Sequence, residues 1–520
     1  MLMTAAEYRE SLRALSPRVF LEGERIASVA DEPRLAPGVE AVGVAYDLAH
    51  VAALRPMTTA VTGRTGRRVN RMLHVDESAD DLLAKLEAIR LLCKIAGCGQ
   101  RYLNHDVYAA LQQATSRADA EDGGDRLARF LAFLDDAQAR DLTYGVAMTD
   151  GKGDRSLRPE AQANRDAYLH IAERRAEGIV LRGAKAIVTG GAYMHGLIVA
   201  PCRRHGPEAA ACAVACATPL DAEGLTIVTR RAGRPGEGAA LFSARYGQAT
   251  AVAMFEDVLV PWDRVFLAGE TEAAAHLTTA YATHHRQSCI AARAGFGDLL
   301  IGAGAHMLEA NGLDAEAHPH IREQMVELIK IVEGFYACGV AASVYCAKDP
   351  SGVAMPDAVF ANIGKLLLAT QIYDMHRIAH YVSGGLIVAL PGPDEDHNPE
   401  TAAALSAVLE ARADLPAARR RDVARFIEDL TVSDQAGWYS VMSLHGGGSP
   451  EAMKREIWRN YPVGEKKELV DALLDRGVLD VGQRVGRQPG RCCVAGCREP
   501  EAELSLPGTG ASAAWAERPR

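Results

Sequence analysis

The chain has 520 residues, 48% apolar and 24% charged; 57 Lys and Arg against 67 Asp and Glu leave a net charge of −10. This composition excludes a disordered chain, a collagen and a disulfide scaffold. The acidic balance excludes a protein whose main work is coating nucleic acid, which depends on neutralising phosphates.

A prior of roughly 150 residues per domain gives about three domains. Residues 1–140 read mostly as helix. A short β-hairpin over 18–28, turning at Glu22-Gly23, precedes the main helices. Asp76, Glu77, Asp80 and Asp81 suit the positive N-terminal end of a helix. Behind them Leu82, Leu83, Leu86, Ile89, Leu92 and Ile95 recur at three- and four-residue spacing, and 126–137 repeats the pattern. From 141 to 271 the character changes. Apolar runs at 144–148, 178–181, 184–188, 197–200, 211–217, 225–228 and 251–255 are punctuated by Gly190-Gly191, Pro201, Pro219 and Pro261, as in a sandwich or barrel. Helix returns over 272–475. The segment 280–313 stops at Asn311-Gly312, and 321–347 and 358–382 follow; their broad apolar surfaces suit a bundle. Residues 476–520 read as a partly disordered tail. Helix–strand–helix order argues against a doubly wound sheet, and no GxGxxG, GxxxxGK[ST] or HExxH motif is present.

No apolar run reaches 18 residues, so no membrane span is expected. Glu7, Arg9 and Glu10 interrupt the N-terminus, which does not read as a signal peptide. Eleven cysteines, mostly within apolar patterns, suit reduced thiols in a cytoplasm.

Six segments carry polar or reactive groups. In 147–155, two glycines permit close backbone approach, and Lys152 and Arg155 add cations suited to a pyrophosphate; a solvated turn has the same pattern. Thr189 closes a strand before Gly190-Gly191, where its hydroxyl either meets a ligand edge or only marks a turn. His285 and Cys289 stand four apart on one helical face, a spacing that also suits a soft metal. With Arg286, Gln287 and Ser288 they form a polar patch on an apolar helix, facing either a ligand or partners on other helices. Gly446-Gly447-Gly448 after His445 is a loop that a ligand can approach, or a plain helix stop. Cys492, Cys493 and Cys497 lack a full zinc ligand set. Cys93 and Cys98 are poorly spaced for one helical face.

Together, AMTDGKGDRS, RGAKAIVTGG, FEDVLVPWDRVFL, HHRQS and SLHGGGSP, in that order, resemble the flavoprotein family of 4-hydroxyphenylacetate 3-hydroxylase and 4-hydroxybutyryl-CoA dehydratase, nearest to the dehydratase branch. The resemblance covers roughly 5–475. It implies an α+β, acyl-CoA dehydrogenase-like fold: an N-terminal helical domain (1–140), a flavin-binding β-barrel (141–271) and a C-terminal four-helix bundle (272–475). It also implies a homotetramer and FAD, with contacts at Thr149, Lys152, Gly153, Asp154, Arg155, Thr189, Gly190, His445, Gly446, Gly447 and Gly448. The dehydratase branch holds a [4Fe–4S] cluster on three cysteines and a histidine. Here Cys98 and His285 match two of those positions, while Tyr102 and Ala292 occupy the others, so no cluster is expected. Cys289 replaces a tyrosine, Met442 a catalytic glutamate, and Val146 the histidine that contacts substrate in the hydroxylase branch. The reading that follows is a two-component monooxygenase using reduced FAD from a separate flavin reductase on a small substrate, aromatic ones included, with Arg101, Tyr102 and His285 as catalytic candidates. The alternatives are a dehydratase or isomerase of a CoA ester, with Cys98, His285 and Cys289 as an altered metal set, and a non-catalytic relative of the fold.

Overall fold

The computed structural model describes residues 2–412 and 414–474. The tail 476–520, with Cys492, Cys493 and Cys497, lies outside the described residues.

Six helices come first: α1 (Ala5–Arg13), α2 (Ala36–Asp47), the single turn α3 (Arg55–Thr58), α4 (Ala79–Ala96), α5 (Tyr102–Asp122) and α6 (Arg126–Arg140). Local chemistry sets their ends. Ser78 caps α4 by accepting from the Asp81 amide, and Asp80 and Asp81 sit in its positive first turn. Gly97, at φ 69°, turns the chain out of α4 toward α5.

The expected hairpin forms as β1 (Arg18–Leu21) and β2 (Glu24–Arg25), with Glu22 and Gly23 both at positive φ. A small ribbon, β3 (Thr59–Val61) with β4 (Arg68–Asn70), follows. The strand block holds β5 (Tyr144–Ala147), β6 (Thr149–Asp150), β7 (His170–Arg174), β8 (Gly178–Thr189), β9 (Gly196–Val199), β10 (Val214–Pro219), β11 (Leu225–Thr229), β12 (Thr250–Pro261) and β13 (Val265–Ala268). The expected closed barrel is instead two open sheets. One runs β2-β1-β11-β12-β8-β6, with β7 also on β8; the other runs β13-β10-β9-β5. The chain switches sheets at Met148: β5 pairs with β9, and β6, one residue later, pairs with β8. The sheets share one core, where Val188 and Ala251 of the first meet Val199 and Cys216 of the second. Tyr8, Leu12, Val42 and Tyr46 of α1 and α2 enter this same core, and β1 pairs in parallel with β11. The first 47 residues are therefore part of the strand layer.

The last region has three long helices, α7 (Thr271–Ala310), α8 (Pro319–Val344) and α9 (Ala358–Val382), with the ribbon β14 (Ala347–Lys348) and β15 (Ala354–Met355) between the last two. The expected C-terminal bundle of four gains its further long partners from the N-terminal region: α4 and α5 both pack on α7. Shorter helices follow: α10 (Ala402–Leu409), α11 (Ala417–Thr431), α12 (Asp434–His445), α13 (Pro450–Asn460) and α14 (Val463–Leu474).

Asp429 on α11 ties the strand block to the C-terminal helices. Its buried carboxylate accepts from the amides of Phe242 (2.9 Å) and Ser243 (2.7 Å) and from Arg234 (3.1 Å). Asp429→Ala takes this acceptor from the Phe242 and Ser243 amides, while Arg234 keeps Glu237, and the loss of a buried hydrogen-bonded partner costs about 1–3 kcal/mol. The urea midpoint should fall accordingly; an unchanged midpoint would remove Asp429 as the tie.

Candidate active site

On a helix, residues i, i+3 and i+4 share a face, so His285, Ser288 and Cys289 of α7 look toward α5. There they meet Asp106, which is fully buried. One carboxylate oxygen takes His285 Nδ1 at 3.0 Å and the other takes the Ser288 hydroxyl at 2.6 Å. That contact keeps a proton on His285 Nδ1, directed at Asp106, and Nε2 faces Cys289 Sγ at 3.5 Å. The rings of Tyr281 and Tyr102 lie nearly parallel to the imidazole, at centroid distances of 5.2 and 6.0 Å.

Burial, the largest influence on His285, opposes its positive charge. Cys289 and the hydrogen bond from Asp106 outweigh it and raise the imidazole to about 9. Burial likewise pushes the Cys289 thiol up, but His285, Lys365 and Arg293 bring it below its ordinary value. Lys365 on α9 is buried, which pulls its ammonium down to about 8; it donates to the Ser443 carbonyl at 2.6 Å. Behind Asp106 the polar seam continues inward: His105 Nε2 lies 2.9 Å from Asp76, whose other oxygen is 3.5 Å from Lys85.

The neighbouring polar residues of α7 also find protein partners. Arg286 donates to the Gly447 carbonyl (2.9 Å) and Asn362 (2.7 Å), and Gln287 to Ser343 (2.6 Å). The loop at Gly446–448 thus closes over α7: a Cβ built on Gly447 would stand 3.5 Å from His285 Cδ2. His445 itself is exposed. Tyr102 is brought to His285, as above. Arg101 is placed elsewhere: fully buried, it pairs with Asp141 and lies over the Tyr46 ring at 3.8 Å. It is thereby engaged in joining α5 to α2 and α6.

A second group gathers on the large sheet. Thr149 pairs with Ile187, two residues before Thr189, and Thr189 pairs with Thr250. Ile187, Val252 and Val228 expose apolar surface on three adjacent strands. Past Thr149 the loop turns through Lys152 (φ 70°) and Gly153 (φ 48°). Gln162 pins it, accepting from the Asp154 amide at 2.9 Å and donating to the Asp154 carbonyl at 2.7 Å. Arg155 is exposed, and its guanidinium has no ion pair among the described residues. An apolar strip beside free cations and hydroxyls fits a group with a flat heterocycle and a diphosphate.

Between the helices and the strands, a small cavity of about 50 Å³ is walled by Cys98, Phe242, Tyr246, Phe296, Trp438 and Tyr439. Asp106, Lys365 and Arg293 were not signalled by motif spacing. The available sign was a charge inside an apolar stretch, as in His105-Asp106-Val107.

The sequence matches the 4-hydroxyphenylacetate 3-hydroxylase N-terminal family over residues 4–267 and its C-terminal family over 274–475. The chain belongs to the 4-hydroxyphenylacetate 3-hydroxylase family. It is 34% identical to the 4-hydroxybutyryl-CoA dehydratase/vinylacetyl-CoA-Δ-isomerase of Clostridium aminobutyricum, across 91% of this chain and 99% of that one. The structure of an oxygen-tolerant archaeal 4-hydroxybutyryl-CoA dehydratase from N. maritimus superposes with a TM-score of 0.88 at 33% identity, covering 94% and 98% of the two chains. The oxygenase component of 4-hydroxyphenylacetate 3-monooxygenase, complexed with FAD, superposes at 0.80 with 23% identity, covering 91% and 98%. These family members are enzymes of two kinds, and the first two lie in the dehydratase branch.

The donors of a [4Fe–4S] cluster do not fit this site. Among the described residues, no three His, Cys, Asp or Glu side chains converge as a metal site requires. The Cys98 thiol is turned to Gln248, and Tyr102 and Ala292 offer neither thiolate nor imidazole.

The Asp106–His285 pair sets a pH window for stability. Asp106 is held below its ordinary 3.8; burial opposes this, but His285 prevails. His285 is raised from 6.5 to about 9. The contribution of Asp106 is fully present above pH 3.8 and fades as pH falls through its folded value. That of His285 is fully present below pH 6.5 and fades as pH rises through about 9. Asp106→Asn should therefore lower Tm most between these two limits, with the gap to the unaltered protein narrowing toward pH 9. A gap that widens there would show that the ion pair is not its source.

Proposed function

We propose that this chain is an FAD-dependent oxidoreductase, a two-component monooxygenase that takes reduced FAD from a separate flavin reductase and hydroxylates a small substrate, aromatic ones included. The observation that carries the reading is the donor set around Cys98 and His285. It leaves flavin chemistry without the cluster on which the dehydratase branch relies. The FAD complex of the oxygenase relative and the aromatic walls of the cavity support it.

In this reading Lys152 and Arg155 hold the diphosphate, with Gly153 and Asp154 shaping the loop. Thr149, Thr189 and Gly190 meet the heterocycle, and His445 with Gly446, Gly447 and Gly448 covers the other side. Bound reduced flavin supplies the activation of O2; the protein orients the substrate and excludes water. His285, beside Tyr102, holds a proton at Nε2 for the substrate oxygen, and Arg101 supports the helix that carries Tyr102. The acyl-CoA dehydrogenase-like three-part layout and a homotetramer belong to the same reading. Val326, Ile329, Tyr373 and Tyr381 leave apolar surface on α8 and α9 for a second copy. No helix of the described residues is long and apolar enough to cross a membrane. A cytoplasmic enzyme completes the proposal.

A dehydratase or isomerase of a CoA ester is the second reading, favoured by the identities of 34% and 33% to that branch. Two assays separate them: turnover of phenols with supplied reduced FAD and O2, and anaerobic turnover of 4-hydroxybutyryl-CoA. Oxygen-dependent hydroxylation is expected. Turnover only of the CoA ester would overturn the first reading.

Arg155→Ala should weaken FAD binding by about 1.5–3 kcal/mol, the worth of a charge-assisted hydrogen bond; an unchanged FAD titration would remove Arg155 from the site. Anaerobically purified protein should carry far less than the about four irons per chain of one cubane. A full complement, lost in Cys98→Ala, would restore the cluster and with it the dehydratase.

A further inference from the structure

We propose that Cys289 is a nucleophilic thiol, with His285 as its base and Asp106 as the residue that positions that base, and that it takes small α,β-unsaturated carbonyl compounds as covalent partners. The inference shares His285 with the flavin reading but does not depend on which substrate the flavin serves.

The geometry is that of a thiol–imidazole–carboxylate relay: Sγ to Nε2 at 3.5 Å, Nδ1 to Oδ2 at 3.0 Å. The order of groups is the one that nucleophilic catalysis by cysteine needs, a thiol within reach of a base that a third group orients. Ser288 holds the second Asp106 oxygen, so the carboxylate cannot rotate away from the ring. Neighbouring thiols are placed differently. Cys98 is turned to Gln248, Cys93 accepts from the Gly99 amide at 3.3 Å, and Cys202 donates to Asp150 at 3.0 Å. Cys289 is 5% exposed and His285 8%, so both are largely shielded from water and a bulky or charged reagent is disfavoured.

A soft sulfur nucleophile among tyrosine rings selects a soft, flat electrophile. In the step, the thiol proton lies on His285 Nε2, and the freed sulfur pair forms a C–S bond at the β-carbon. The C=C π pair shifts to make the enolate. The α-carbon then takes the proton back from Nε2. One S–H adds across one C=C, with no oxidant or reductant.

N-Ethylmaleimide, itself such a compound, is the probe, applied to the full chain with peptide mapping so that Cys289 is read separately from the tail cysteines. In the native protein Cys289 should be alkylated faster than in the same chain unfolded in urea. A buried thiol without a base shows the opposite order. His285→Gln should slow native labelling by about 10²-fold or more, the usual effect of losing a general base. Asp106→Asn should slow it too, and Asp106→Glu should recover part of the loss. Labelling no faster in the native than in the unfolded chain, or equal native rates in unaltered protein and folded His285→Gln, would overturn the proposal.

Discussion

The helical half of the molecule is organised by one buried carboxylate. Asp106 lies fully inside the protein, where an unpaired charge costs several kcal/mol. It therefore has to meet cationic or hydroxyl partners, and α7 supplies both, one helical turn apart. Two hydrogen bonds from one helix to two oxygens of one carboxylate fix the axial register and the rotation of α7 against α5. Through His105 and Asp76 the same seam reaches Lys85 on α4, so the consecutive helices α4 and α5 are keyed together with the distant α7.

Close backbone approach accompanies this keying. A Cβ on Gly295 would stand 2.4 Å from the Arg90 carbonyl, and one on Gly364 would stand 2.5 Å from Ile290. α4 and α9 thus both press directly on α7. The salt bridge of Arg90 with Asp298 at 2.7 Å lies beside the first of these contacts. The small-residue contacts set how closely α4 and α9 approach α7, while the bonds to Asp106 set α7 against α5.

How much of this the sequence disclosed depends on the range of the interaction. Expected 358–382 and observed α9 (Ala358–Val382) coincide, because periodicity and the capping Asp357 are local. The hairpin at Glu22-Gly23 was legible for the same reason. α5 had no clear stripe, since its His, Asp, Asn and Gln residues face protein partners rather than water and break the amphipathic pattern. The parallel pairing of β1 with β11, and the division of the strands into two open sheets, depend on contacts across about two hundred residues, which turn signals do not encode. The pairing of His285 with Cys289 was visible in their spacing. Asp106, 179 residues from His285, could be located only once the chain was folded, and Arg101, polar and next to Tyr102, gave no local sign of its partner Asp141.

The five consecutive polar or reactive residues of α7 show how the fold decides among chemical possibilities. Successive side chains point about 100° apart, so the run from His285 to Cys289 must be met from several directions. α8 meets Gln287, α9 and the glycine loop meet Arg286, and α5 meets His285 and Ser288. Most of these polar groups are thus satisfied by a neighbouring helix or loop. Gln287 Oε1 has no hydrogen-bond partner among the described residues, and His285 Nε2 has only a weak one. The imidazole is oriented by Asp106, and Nε2 meets a sulfur four residues on. That nitrogen lacks a partner of full strength while the ring itself is held in place. The weak thiol contact left at that nitrogen, on a ring held by Asp106 and bordered by Gly447, makes it the place on α7 where chemistry is available.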